Sequence, residues 1–364
     1  MKNKEIFEML NITAWHDAGY TGEGVNIMEL EGANPNNPQF DGKLTNDFKK
    51  DLGEDDYENS HGSHVFDVIH QVCPDANLFV GSTSASYGGG KVSGTVMDKT
   101  IPYIEEKNIH LVGASLGGYN EEELNEELRR LKNNGHAFFT SAGNMGEDGA
   151  GEFAQSGEWI NVGAVHLRHD KPYRPSYSSI DEVLDFTCFS NLYVQSDKSP
   201  DYWFPQQGTS FSNPLLMGMA GLVNDKAIKD IGRGLYQDEI YNMFKDFALD
   251  LGKIGHDEYY GHGLVILPNP EDLNITDYVL HDVEKNEEIE IKQNYDNTLK
   301  MYPKTASTNG SISYFLNDDM YNMDVVPIIR NGRTLVPIRF VAEAMGCKVD
   351  WNEDKQEVII QWNN

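Results

Sequence analysis

The chain has 364 residues, 39% of them hydrophobic, and carries 29 basic against 58 acidic side chains, a formal net charge of −29. That length buries a large core and holds more than one domain, while the shortage of Lys and Arg argues against nucleic acid as a partner. Three cysteines, Cys73, Cys188 and Cys347, are odd in number and widely spaced. They do not read as a disulfide framework or a zinc site but as small buried residues.

The first ten residues begin basic but meet acidic positions at once and lack the apolar core of a secretory signal. No stretch approaches the roughly 18 apolar residues needed to cross a membrane. The expectation is a cytoplasmic protein with no membrane partner, or a secreted one if an upstream signal was removed. The acidity reads mainly as solubility, with a weak bias toward cationic substrates or bound calcium.

Along the chain, residues 24–268 alternate short apolar runs with helical patterns. That alternation predicts an α/β unit with a mostly parallel sheet flanked by helices. Strands are expected at 25–30, 76–82, 110–115, 137–141 and 159–165. Helices are expected at 92–107, at 121–132 with Asn120 as cap and Gly135 past its end, after Ser60, and after Ser212. Pro268-Asn269-Pro270 closes this unit at about residue 270, and an acidic, aperiodic linker follows over 271–287. A small α+β unit is expected over 288–364. It has a strand at 289–292 and a hairpin turning at Asn331-Gly332. A helix ends at Gly346, and strands follow at 348–351 and 358–362.

Three segments carry chemistry. His61-Gly62-Ser63-His64-Val65 opens a helix on which Val65 and Ile69 face inward, leaving His61 for a cleft and His64 as a packing residue. Ser141-Ala142-Gly143-Asn144 ends a strand with a side-chain amide. Gly208-Thr209-Ser210-Phe211-Ser212-Asn213-Pro214 places a serine just before a helix expected to begin between Ser212 and Pro214. Small residues Gly218, Ala220 and Gly221 let that helix pack closely. A general base, an oxyanion donor and a nucleophile are the parts needed for acyl transfer.

These motifs, in this order over about residues 14–267, resemble the subtilisin-like serine peptidases, or subtilases. The resemblance implies Ser210 as nucleophile, His61 as general acid and base, and Asn144 as oxyanion donor. It also implies that Ser115, Leu116 and Gly117, with Gly88, Gly89 and Gly90, form edges that pair with an extended peptide substrate. One position departs from the family: Glu31 stands where aspartate is expected, on the stretch Gly24-Val25-Asn26-Ile27-Met28-Glu29-Leu30-Glu31-Gly32. Glu31 is the simplest partner for His61 Nδ1, and Glu29, on the same strand face, is the next candidate.

The implied activity is a serine endopeptidase acting through an acyl-enzyme on a peptide or protein substrate. The alternative is an impaired subtilase fold used as a binding or assembly module. About 20 residues precede the first strand, so folding without a pro-segment is expected. The short connection 70–76 leaves no room for the calcium loop that many relatives insert there. No cofactor is called for, and no metal site is assigned. Calcium remains open, with the run 51–56 reading as a solvated acidic loop rather than an EF-hand.

From Met323 to Gln361 the chain resembles the copper amine oxidase N-terminal-like domain, a module often appended to Gram-positive bacterial proteins. The resemblance rests on Asn331-Gly332-Arg333-Thr334-Leu335-Val336-Pro337-Ile338-Arg339-Phe340-Val341-Ala342-Glu343-Ala344-Met345-Gly346 and on Val349-Asp350-Trp351. This stretch contains no histidine, so it reads as a structural module, or one that docks to a partner or surface, rather than a copper site.

Overall fold

The computed structural model describes residues 2–34, 36–48, 60–81, 91–92, 94–118, 120–169, 171–196, 199 and 201–280, and thereafter only strand segments between 289 and 362. The chain divides into two compact units, Met1–Ile275 and Thr276–Asn364.

In the first unit the elements are, in order, α1 (Lys4–Met9), α2 (Ile12–Asp17), β1 (Asn26–Glu29), β2 (Leu44–Thr45), α3 (Ser60–Val72), β3 (Asn77–Val80), β4 (Lys91–Val92), α4 (Gly94–Glu106), β5 (Leu111–Ala114), β6 (Gly117–Gly118) and α5 (Glu122–Asn133). There follow β7 (Ala137–Ser141), α6 (Glu152–Gln155), β8 (Ile160–Arg168), β9 (Lys171–Tyr173), β10 (Phe186–Phe189), β11 (Leu192–Gln195), β12 (Trp203–Gln206), α7 (Thr209–Ile231), α8 (Gln237–Asp246), β13 (Ala248–Leu249) and β14 (Leu264–Val265).

The main sheet runs β13-β14-β10-β8-β7-β5-β1-β3-β2, with β9 added to β8. Its central pairs are parallel: Ile27 stands opposite both Leu78 and Leu111, and Val112 opposite Phe138. Helices cover both faces, which is why these strands are near-continuous apolar runs rather than alternating ones. Chain order reverses at β1, with later strands added on either side of it. A crevice beyond the carboxyl ends of strands is expected at such a switch point.

Helix α7 is the packing axis of the unit and is buried through most of its length. Two glycines permit this. A methyl group at Gly218 would stand 2.8 Å from Val72 Cβ, and one at Gly221 would stand 2.7 Å from Cys73 Sγ, so α7 lies directly against the end of α3.

The start of α7 differs from the sequence expectation. It begins at Thr209, not between Ser212 and Pro214, so Pro214 lies inside the helix and withdraws the N–H that the Ser210 carbonyl would accept. Ser210 therefore sits within the first turn. The sequence reading also passes over α1, α2, α8, the β11–β12 hairpin and the fully buried strand β10. All are short, and the four-residue run of β10 carries no periodicity that separates a strand from a loop.

In the second unit, strands β15 (Ile289–Lys292), β16 (Thr298–Met301), β17 (Ile312–Leu316) and β18 (Asp319–Met323) form an antiparallel sheet. Two antiparallel pairs follow: β19 (Ile328–Arg330) with β20 (Arg333–Leu335), and β21 (Cys347–Asn352) with β22 (Glu357–Trp362). The helix expected to end at Gly346 lies outside the described residues.

Candidate active site

Beyond the end of β1 the chain passes through Leu30 to Glu31 and meets the start of α3. The approach is close because residue 62 is glycine: a Cβ there would lie 2.2 Å from the Gly32 carbonyl oxygen. His61, on the first turn of α3, thereby faces Glu31. Its Nδ1 lies 2.8 Å from Oε1 and 2.9 Å from Oε2 of that carboxylate. Glu31 is buried at 2% exposure, whereas the His61 ring is 40% exposed. With Nδ1 committed to Glu31, the ring carries a hydrogen there, and Nε2 is the nitrogen that can accept a proton. Burial lowers the His61 pKa, but the hydrogen bond and charge of Glu31 outweigh it, and the net shift is upward from 6.5. His64, in contrast, is buried with its ring 5.0 Å from Phe204, the packing role expected of it.

Gly208 caps α7 at φ +133°, a conformation that disfavours side chains. Of residues 208–214, only Ser210 is not buried. Its N–H belongs to the first turn, where backbone donors have no intrahelical acceptor and the helix dipole favours negative charge. The next side chain, Phe211, packs edge-on against His61 with centroids 5.7 Å apart, which ties the serine turn to the imidazole.

Asn144 follows β7 and is oriented by Thr209. Its Oδ1 accepts the Thr209 N–H at 2.9 Å and the Thr209 Oγ1–H at 3.1 Å, while Thr209 Oγ1 accepts the Gly143 N–H at 3.2 Å. A backbone N–H can only donate, so the amide presents its oxygen to Thr209. Asn144 and Ser210 are thus brought to the same helix end.

Ser115 and Leu116 follow β5, and Gly117 begins β6. Ser115 is buried, Leu116 half-buried and Gly117 exposed. β6 pairs in parallel with β4 on one side, Gly117 opposite Lys91, and Gly118 lies under the Phe153 ring, where a Cβ would overlap it at 1.9 Å. Gly88, Gly89 and Gly90 and the acidic run 51–56 lie outside the described residues. Among the described residues no group of three or more His, Cys, Asp or Glu is arranged to hold a metal ion, and no helix is long and apolar enough to cross a membrane.

Acid, imidazole, amide and serine are therefore gathered from the ends of β1, α3, β7 and α7 on a parallel sheet, and residues 25–263 match the model of the subtilase family. The chain belongs to the subtilase family. Its second unit contains a match, over residues 282–360, to the copper amine oxidase N-terminal domain. Over 262 residues it is 25% identical to subtilisin Savinase of Lederbergia lenta, covering 69% of this chain and 92% of that protein. It is equally similar to the alkaline protease of Alkalihalobacillus alcalophilus, of which it spans 65%. Among solved structures, the prenylagaramide maturation protease PagA is similar at a TM-score of 0.59 and 18% identity, covering 73% of this chain and 96% of that one. A lanthipeptide protease gives 0.58 and 18%, covering 73% and 93%. At that identity these two establish the fold.

Sequence reasoning missed Thr209 and Phe211 in this subtilase site. Their partners, Asn144 and His61, are far away in sequence. The only local signal is that both flank the candidate nucleophile.

Proposed function

We propose that this subtilase is a serine endopeptidase with Glu31 in place of the usual triad aspartate. The observation that carries this reading is the two-oxygen contact of Glu31 with His61 Nδ1, on an imidazole that is itself packed against the Ser210 turn. In the reaction, Ser210 Oγ attacks the scissile carbonyl carbon and its proton passes to His61 Nε2. The carbonyl oxygen becomes an oxyanion held by Asn144 Nδ2 and the Ser210 N–H, the former worth on the order of 3 kcal/mol. Glu31 keeps the imidazole in its acceptor tautomer and stabilises the imidazolium. Collapse of the tetrahedral intermediate expels the amine, protonated by His61, and leaves an acyl-enzyme. Water, deprotonated by His61, then releases the acid and restores Ser210.

The extra methylene of glutamate motivates the alternative, an impaired subtilase fold used as a binding or assembly module; the contact of both Glu31 oxygens with His61 Nδ1 favours the active enzyme. We assign peptide pairing to the segment Ser115, Leu116 and Gly117, on the side away from β4, since extended chains bind strand edges as added strands. The second unit is proposed to dock the peptidase to a partner or surface. Deleting residues 276–364 should then alter targeting and leave cleavage of a short peptide intact. The test of the activity is covalent labelling by a fluorophosphonate probe. Wild type should label and Ser210→Ala should not. Absence of labelling of folded wild type between pH 6 and 9 would overturn the reading.

A further inference from the structure

A second carboxyl lies two residues before the first, and the mechanism above does not use it. Glu29 is 0% exposed on a strand whose neighbours Ile27, Met28 and Leu30 are equally buried. Its Oε1 accepts the Ser115 N–H. Ser115 Oγ in turn accepts the Asn213 side-chain N–H at 3.1 Å. The other oxygen, Oε2, has no hydrogen-bond partner among the described residues. It occupies the space a Cβ would need at Gly113, which it would approach to 1.9 Å, with Met217 Cε alongside. Gly113 therefore makes room for this carboxyl in the core.

For stability alone this is a poor choice. An apolar side chain of the same length would fill the space without a stranded oxygen. What the carboxyl adds is a strap of three parts. It runs from β1, which leads to the acid, through Ser115, at the head of the segment assigned to peptide pairing, to Asn213 on the first turns of the nucleophile helix.

We propose that Glu29 is a positioning residue for peptide binding: through Ser115 it fixes the edge Ser115–Gly117 in register with β1 and, through Asn213, with the Ser210 turn. This rests on the peptidase reading above. Burial, with the Glu31 charge second, pushes the Glu29 pKa up to about 8. At neutral pH Glu29 is therefore an uncharged hydrogen-bonding group beside the Glu31 carboxylate, not a competing anion. Glutamine can do the same work, because its oxygen still accepts the Ser115 N–H, whereas methionine keeps the shape and offers no acceptor.

The test compares Glu29→Gln and Glu29→Met in the full chain, using a blocked tetrapeptide p-nitroanilide and a single-residue ester. The ester does not reach along the edge. For Glu29→Met the ratio of tetrapeptide to ester kcat/KM should fall about tenfold, through KM, the scale of one lost hydrogen bond with its buried donor left unpaired. Glu29→Gln should stay within about threefold of wild type. Equal ratios in all three proteins would overturn the proposal, as would equal losses on both substrates. Should Glu29→Met not fold, Asn213→Ala cuts the other end of the strap and should lower the same ratio; an unchanged ratio there overturns it equally. Anisotropy of a fluorescein-labelled tetrapeptide amide is measured on Ser210→Ala with and without Glu29→Met. If wild type fails to react with the fluorophosphonate, the peptidase reading falls, while weaker binding in the double variant still supports the role of Glu29 and equal binding removes it.

Discussion

Both oxygens of Glu31 meet His61 Nδ1 within 2.9 Å, a contact made possible by the bare backbone of Gly62 pressed against Gly32. The spacing between strand end and helix is thus built around the longer acid. Glu31→Asp shortens the arm by one C–C bond, about 1.5 Å, and breaks a contact that the packed backbone cannot restore. We expect kcat for a peptide substrate to fall by roughly 10 to 1,000-fold with KM little changed, short of the roughly 10⁴ lost when a triad acid is disabled. A gain in kcat would instead mean that glutamate impairs the site.

The same pair sets the pH dependence. His61 must be neutral to accept the Ser210 proton, and its pKa is raised above 6.5 by Glu31 against the lowering effect of burial. Activity should rise with pH through that raised value and level off in the alkaline range. Glu31→Gln removes the charge and leaves the burial, so the acid limb should move to lower pH while the plateau drops. A pH–rate profile with limb and plateau both unchanged would remove Glu31 from the triad.

How much of this was legible beforehand follows the range of the interactions. The central strands and the helices α3, α4 and α5 could be read because each carries its own apolar period and stop signals. Glu31 could be read because the His motif demanded a carboxylate and only two stood on the right strand. The start of α7 was misjudged because Pro214 mimics a first-turn proline while the helix begins at Thr209. The bond between Thr209 and Asn144 joins positions 65 residues apart, and no local pattern encodes it. Glu29 was visible as a second acid, but its contacts with Ser115 and Gly113 exist only once β1 and β5 are paired.

Thr209 yields a direct test of the amide's orientation. Thr209→Val keeps the shape and the backbone N–H but removes the hydroxyl bonded to both Asn144 and Gly143. With one of its two anchors gone, Asn144 Nδ2 should be less well aimed. Part of the roughly 3 kcal/mol of oxyanion stabilisation would be lost, a drop of about tenfold in kcat. KM should hold, and Asn144→Ala made on top of it should cost less than Asn144→Ala alone.

Far from the site, Asp225 on α7 closes the turn that feeds β1. Its Oδ2 accepts the N–H groups of Thr21, Gly22 and Glu23 at 2.9, 3.0 and 3.1 Å, and Lys229 Nζ lies 2.7 Å from Oδ1. Asp225→Ala strips the acceptor from three backbone donors at once and should cost on the order of 3 kcal/mol or more in denaturant unfolding. A loss below about 1 kcal/mol would show that water replaces the carboxylate at that turn.

Stability should also depend on pH through Asp67. Asp67 is buried on α3, where one oxygen accepts the Gln195 N–H at 2.9 Å and the Gln71 side-chain N–H at 2.8 Å. Burial outweighs these bonds and raises its pKa from 3.8 to about 7. The folded state therefore keeps a proton that the unfolded chain has already released. By linkage, stability falls as pH rises from about 4 to about 7, by on the order of 4 kcal/mol in all. Asp67→Asn keeps the accepting oxygen and cannot ionise. Its urea midpoint should exceed that of wild type at pH 8, with the gap closing as pH falls toward 4. His61, whose raised pKa also makes stability fall with pH, is common to both proteins and cancels in the comparison. A gap that does not change with pH would mean that Asp67 is ionised in the fold.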